Sequence, residues 1–153
     1  MASTCWFHNA FRRGMDTLTD FSKVASMKAA LFQKAYVPNP DHETINDVKA
    51  IGSECDATNY ARKTISNWVF TCADASNRFQ VTSSDSFTWA TLGNGTNNSL
   101  DTLILFYDTD TTDTNAYVMC CLYLGSRVST NGGNLKVSFS STGVIGYVTC
   151  DAA

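Results

Sequence analysis

The residues of this chain that could take part in catalysis are few and widely spaced. His8 and His42 are far apart, and His42-Glu43 lacks the second histidine that would complete a zinc-protease motif. Phosphate-binding glycine loops and the G-x-S-x-G turn of serine hydrolases are also missing from the sequence. Because covalent catalysis needs a nucleophile, a base and an oxyanion-stabilising turn together, we expect no enzyme activity and no cofactor.

Six cysteines are the next candidates, and their spacing argues against a zinc site. No Cys-x-x-Cys pair occurs, whereas structural zinc sites use paired ligands at short spacing. Cys120 and Cys121 are adjacent in an apparent strand, where neighbouring side chains point to opposite faces, so they are poor disulfide partners for each other. We expect the cysteines to be buried thiols that act as small apolar side chains, and the sequence leaves their oxidation open. The six are Cys5, Cys55, Cys72, Cys120, Cys121 and Cys150.

An acidic segment supplies the one plausible set of metal ligands. Asp108, Asp110 and Asp113 alternate with threonines and are followed by Asn115, and calcium prefers such oxygen ligands. The calcium-binding EF-hand loop also needs a glycine at its sixth position and a glutamate at its twelfth, and neither is present. We therefore favour a solvated hairpin tip in which water screens the carboxylates, and we keep a calcium site as the alternative.

Length and charge exclude several classes of partner. The chain has 153 residues, enough for one ordinary domain, and a net charge of -3 with no basic run. Phosphate binding needs clustered lysines and arginines, so we do not expect nucleic acid as a partner. No apolar stretch is long enough to span a membrane, and the first residues do not read as a secretory signal. We therefore expect folding in a cytosol and no membrane contact.

Short apolar runs separated by turn residues predict a mainly β protein. The run at residues 27–32 fits a first strand, although a helix competes there, and residues 100–150 fit four short strands joined as hairpins. Residues 41–50 predict one helix, capped by Asp41 and ended by Gly52. Asn94-Gly95 and Gly132-Gly133 are expected to supply positive φ angles in tight turns. We predict a single β-sandwich or barrel-like domain at residues 21–153, with one short helix, preceded by an N-terminal arm at residues 1–20. Further strands are predicted within residues 60–72, 79–81 and 87–89.

The arm carries the residues that we expect to bind a partner. Trp6, Phe7 and Phe11 are large apolar groups in a poorly patterned lead, and exposed aromatics must dock either on their own domain or on a neighbour. Large aromatic side chains anchor protein interfaces, and Arg12 and Arg13 could pair with acidic groups nearby. We predict these five residues as the docking site, with coverage of the protein's own sheet as an equally open alternative.

The order of several motifs along the chain carries a resemblance to a known family. A strand at residues 27–32 leads to Ala35-Tyr-Val-Pro-Asn39, a short helix at 43–48 and Asn59-Tyr-Ala-Arg62. A strand at 87–89, then Leu103-Ile-Leu-Phe-Tyr-Asp108 and the segment 132–139, complete the pattern. Over residues 24–148 this order resembles small virion structural proteins of tailed bacteriophages, similar to capsid decoration (cement) proteins. The cysteine content and the aromatic N-terminus depart from that pattern.

The resemblance implies a structural protein of the virion, made in the host cytoplasm. Its partners would be the major capsid protein or other virion proteins, and its task would be to bridge capsid subunits. Because the edges of open sheets invite pairing, we also expect a homo-oligomer, and the sequence does not choose between a dimer and a trimer. A tail, neck or fibre-associated virion protein is the alternative. An alternative of another class is a carbohydrate- or calcium-binding β-sandwich module that uses residues 108–115 and exposed aromatic side chains.

Overall fold

The structure is a computed structural model that describes residues 4–6, 27–33, 36–73, 78–83, 86–108, 111–139 and 144–149. Within residues 4–6, 68–73, 78–82 and 144–149 it describes the backbone alone. The described residues form ten strands and one helix, which confirms the predicted mainly β class with one short helix. The strands are β1 (Thr4–Trp6), β2 (Met27–Gln33), β3 (Lys63–Thr64), β4 (Trp68–Ala73), β5 (Arg78–Ser83), β6 (Ser86–Trp89), β7 (Ser99–Asp108), β8 (Ala116–Ser129), β9 (Leu135–Ser138) and β10 (Val144–Thr149), and the helix is α1 (Ile45–Ile51).

The strands pair into three open antiparallel sheets. The largest, which we call the central sheet, has the order β1-β8-β7-β2-β3, and the other two are β10-β5-β4 and β6-β9. Every pairing between these strands is antiparallel. In the part of the chain that the structure describes, no sheet closes on itself, so the barrel-like form of the prediction is not what these strands make.

The predicted series of hairpins across residues 100–150 is wrong beyond its first member. β7 and β8 do form a hairpin, but β9 pairs with β6 and β10 pairs with β5. The backbone of the turn after β8 explains the change for β9, because Gly132 N–H donates to the Leu92 carbonyl (2.6 Å) and Leu92 N–H donates to the Gly133 carbonyl (2.9 Å). These two bonds hold the start of β9 close to the end of β6. Gly132 has the expected positive φ of 90°.

Both faces of the central sheet are buried in hydrophobic clusters. Leu103 and Leu105 of β7 lie in one cluster, which also contains Trp89 of β6. Ile104 and Phe106 lie in the other, together with Ile45 and Val48 of α1. Burying one such side chain contributes roughly 1.5–3 kcal/mol, so β7 is a principal source of stability. Burial of both faces also explains why the sequence of β7 is almost continuously apolar and does not alternate with polar residues.

Helix α1 begins later than predicted because Thr44, not Asp41, is its N-cap. The Thr44 hydroxyl accepts from Asp47 N–H (3.3 Å) and the Asp47 carboxylate accepts from Thr44 N–H (2.8 Å), which forms a capping box. Gly52 ends the helix as predicted, and its N–H donates to the Val48 carbonyl.

Gly95 and Gly133 do not have the positive φ predicted for them. At Gly95 the backbone of the neighbouring segment instead leaves no room for a side chain, because a Cβ at this position would lie 2.8 Å from the Ala57 nitrogen. A glycine is needed here for close approach and not for a turn.

Candidate functional site

The predicted docking segment joins the described structure at the edge of the central sheet. β1 pairs antiparallel with β8, and Trp6 lies opposite Cys120 in the register. The side chain of Trp6 is outside the description, and so are Phe7, Phe11, Arg12 and Arg13. Their docking role therefore stays a prediction. The structure does place β1, the strand that precedes these residues, at one edge of the central sheet, with β3 at the opposite edge.

Two short segments cover the outer side of β8, which is 14 residues long. One is β1, with three residues, and the other runs through Glu43 and Thr44, where Val118 N–H donates to the Glu43 carbonyl (3.0 Å) and Thr44 bridges to Tyr117. Very short edge strands limit uncontrolled pairing with other chains. β1 therefore protects part of this edge while it anchors the beginning of the aromatic segment.

The acidic hairpin between β7 and β8 is held by ion pairs instead of standing free in water. Asp108 is buried, pairs with Lys28 of β2 and accepts from Thr111 N–H (2.7 Å). Asp113 pairs with Lys49 of α1 (2.7 Å) and with Arg62 (2.7 Å). This differs from the predicted solvated tip, because two of its carboxylates are already neutralised by cations. The third, Asp110, lies outside the described residues.

Arg62 is the centre of a larger polar cluster. Its Nε and Nη2 donate to the two carboxylate oxygens of Glu54 (2.8 and 2.7 Å), and the Tyr60 hydroxyl donates to the same carboxylate (2.8 Å). The Tyr60 oxygen in turn accepts from Leu31 N–H of β2 (3.0 Å). We call Lys49, Glu54, Tyr60, Arg62 and Asp113 the Arg62 network. It connects the acidic hairpin to α1 and to β2.

Burial and charge fix the protonation states of Asp113 and Tyr60 in this network. Burial opposes ionisation of Asp113, but hydrogen bonds from Lys49 and Arg62 outweigh it and hold the pKa of this carboxyl below its ordinary value. Burial raises the pKa of the Tyr60 hydroxyl, and the negative charge of Glu54 raises it further. Tyr60 is therefore a hydrogen-bond donor at neutral pH and Asp113 is ionised. The Tyr60 hydroxyl joins Glu54 to β2, and the Asp113 carboxylate joins the acidic hairpin to Lys49 and Arg62.

The described residues outside this network also carry little reactive chemistry. Three of the six cysteines predicted to be buried, Cys55, Cys120 and Cys121, are buried, and the side chains of the other three lie outside the description. Burial raises the pKa of the Cys55 thiol, which makes it a poor nucleophile. Over the ranges that the structure describes, no group of three or more His, Cys, Asp or Glu side chains is placed to hold a metal ion.

Two large apolar side chains are exposed among the described residues, and neither was singled out from the sequence. Val37 is 74% exposed in the loop after β2, and Ile51 is 56% exposed at the end of α1. Single exposed apolar residues are normal on protein surfaces, so these two do not by themselves define an interface. Substitution of Val37 and Ile51 therefore serves as a control for the loss of apolar surface outside the predicted docking segment.

The Arg62 network was also missed in the sequence, and no local signal could have found it. Glu54, Arg62 and Asp113 come from three separate segments, and only the tertiary structure brings their charges together. In the sequence, Arg62 is marked only as the end of the motif Asn59-Tyr-Ala-Arg62. Its guanidinium also lies 5.2 Å from the centre of the Phe106 ring, a cation–π geometry.

Comparisons of this chain with protein-family models, with curated proteins and with solved structures found no match. Within the described residues, no helix combines the length and the apolar character needed to cross a membrane.

Proposed function

We propose that this chain is a structural protein of a tailed-bacteriophage virion, which binds the assembled head and stabilises contacts between capsid subunits. The supporting observation is the position of β1, which fixes the beginning of the aromatic segment at the edge of the central sheet. The motif order described above supports the choice of a phage virion.

The way in which the central sheet is covered supports a neighbour as the target of the aromatic segment. One face of the sheet already packs on Ile45 and Val48 of α1, and the other packs on Phe87 and Trp89 of β6. Aromatic side chains of the arm would have to compete with these residues for the same apolar faces. Docking on an adjacent protein involves no such competition, and large aromatic side chains are favoured anchors of protein interfaces.

Binding of this kind would stabilise a capsid without any chemical step. A ligand that binds only the assembled state stabilises it by about 2.7 kcal/mol when its free concentration is 100 times its Kd. Many copies on one shell add such contributions, since each copy bridges its own set of subunits. A rigid module suits this task, and the Arg62 network together with the Lys28–Asp108 ion pair fastens the acidic hairpin to the domain.

The test is co-sedimentation of the full-length chain with purified phage heads that lack it. Phe7→Ser with Phe11→Ser removes two predicted anchors and leaves β1 unchanged. The matched control is Val37→Ser with Ile51→Ser, which removes two exposed apolar side chains elsewhere. Loss of an anchoring aromatic costs about 2 kcal/mol or more, so we expect the first variant to bind at least ~30-fold more weakly and the control to bind as the parent chain does.

Each outcome of this experiment separates two assignments. If the parent chain does not bind heads but binds tails, the tail, neck or fibre-associated alternative replaces the head assignment. If the arm variant binds heads with the affinity of the parent chain, the docking role of Phe7 and Phe11 is wrong while the head assignment stands.

A further inference from the structure

The pairing of β1 with β8 places two cysteines opposite each other. Cys5 lies across from Cys121, between the pairs Thr4–Leu122 and Trp6–Cys120. Residues directly opposite in an antiparallel pair have Cα atoms about 4.5 or about 5.5 Å apart, depending on the hydrogen-bonding position. A disulfide requires a Cα separation of about 4.4–6.8 Å. The backbone register therefore meets the distance requirement of a disulfide at this pair.

The other described cysteines are placed differently. Cys120 directly precedes Cys121 in β8, and it packs in the hydrophobic cluster on the opposite face of the central sheet. Cys55 packs in the same cluster as Cys120. Among the strand pairings that the structure describes, Cys5–Cys121 is the one in which two cysteines face each other in register.

We propose that Cys5 and Cys121 form a disulfide under oxidising conditions and that this bond locks β1 to the edge of the central sheet. The oxidant is a small disulfide such as oxidised glutathione. One cysteine thiolate attacks it and forms a mixed disulfide, which releases one reduced glutathione; the second cysteine thiolate then attacks the protein-bound sulfur and releases the other. The two thiols lose two protons and two electrons, and the electrons reduce the glutathione disulfide.

The position of β1 gives the oxidant a route to a buried thiol. Cys121 is fully buried in the closed sheet. β1 has three residues and, among the described strands, pairs only with β8, so local opening of this strand exposes the pair. Once formed, the disulfide prevents that opening. Formation of this disulfide does not depend on the proposed capsid binding.

Peptide mapping of the full-length protein tests this pair. The protein is incubated in reduced or oxidised glutathione, its remaining thiols are blocked, and it is digested with trypsin without reduction. The lysine and arginine positions place Cys5 in the peptide 1–12 and both Cys120 and Cys121 in the peptide 79–127. We expect the linked pair of these peptides only after oxidation. We also expect at least ~10-fold more of it from folded protein than from protein oxidised in urea, because the sheet raises the effective concentration of the two thiols.

Single substitutions identify which sulfur takes part. The cross-link is expected to persist in Cys120→Ala and to disappear in Cys121→Ala and in Cys5→Ser. Cys5→Ser leaves the buried residues of β8 unchanged, so it remains informative if Cys121→Ala fails to fold. A cross-link that survives in Cys121→Ala, or folded protein in which Cys5 stays unlinked after oxidation, overturns the assignment.

Discussion

Replacing Arg62 with methionine removes the cation that joins Glu54 to Asp113 and keeps a side chain that can still contact the Phe106 ring. The side chains of Glu54 and Arg62 are 12% and 22% exposed. Loss of one partner from a fully buried ion pair costs about 3–5 kcal/mol, whereas loss of a surface pair costs less than about 1 kcal/mol. This pair lies between those limits, and Glu54 keeps its hydrogen bond from Tyr60. We expect a loss of about 2 kcal/mol in the free energy of unfolding.

Urea unfolding followed by tryptophan fluorescence measures this loss. Trp89 is 1% exposed in the folded protein, so its emission changes when the core opens. We expect a lower midpoint with an unchanged slope, and a fall in Tm of about 4–8 °C for a protein of this size. Lys49→Met is the matched control, because it removes the other cation from Asp113 at a position that is 44% exposed. It should cost about 0.5 kcal/mol and lose most of that effect at high salt. If Arg62→Met costs no more than Lys49→Met, the network does not hold the hairpin as described.

Three further predictions concern the same elements. The folded-state pKa of Asp113 is lowered, so its contribution to stability is present above its unfolded pKa of about 3.9 and is lost as the pH falls through the lower folded value. The difference in free energy of unfolding between the parent chain and Arg62→Met, measured in urea, should therefore shrink below about pH 4, and a constant difference would contradict the role of Asp113. Gly95→Ala should destabilise by about 1–3 kcal/mol because its Cβ would meet the Ala57 backbone, whereas Gly133→Ala, where the nearest atom is the Asn131 Oδ1 at 3.4 Å, should change stability by less than about 0.5 kcal/mol; equal effects would contradict the close approach. Calcium at millimolar concentration should leave Tm unchanged, because Asp108 and Asp113 are already paired with lysine and arginine side chains. A saturable rise in Tm that disappears in Asp113→Asn would instead support the calcium alternative.

Local sequence patterns were sufficient for several elements and insufficient for their arrangement. The pattern at residues 27–32 correctly indicated β2. Helix-forming residues compete there, but pairing with β7 on one side and β3 on the other holds the segment as a strand. Both Asp41 and Thr44 are able to cap a helix, and the choice depends on Asp47, whose carboxylate returns a hydrogen bond to Thr44. Attention to the residue three positions after each candidate would have identified the cap.

The sheet order and the candidate site depend on contacts between distant segments. β9 pairs with β6, and β10 with β5, through registers that no turn sequence specifies. The sequence alone favours a solvated acidic hairpin, because the partners of the hairpin, Lys28, Lys49 and Arg62, lie elsewhere in the sequence. The same limit applies to the pair Cys5–Cys121, which becomes visible only when β1 is aligned with β8.

The proposed virion role is tested most directly by the number of copies of this chain in purified phage particles. Quantitative mass spectrometry of complete virions and of DNA-filled, tail-less heads, each scaled to the major capsid protein, gives that number. A head-bound structural protein predicts the same large and fixed ratio in both preparations, because every copy has its own site on the shell. Absence of the chain from tail-less heads would contradict the head assignment, and its absence from both preparations would contradict a virion role altogether.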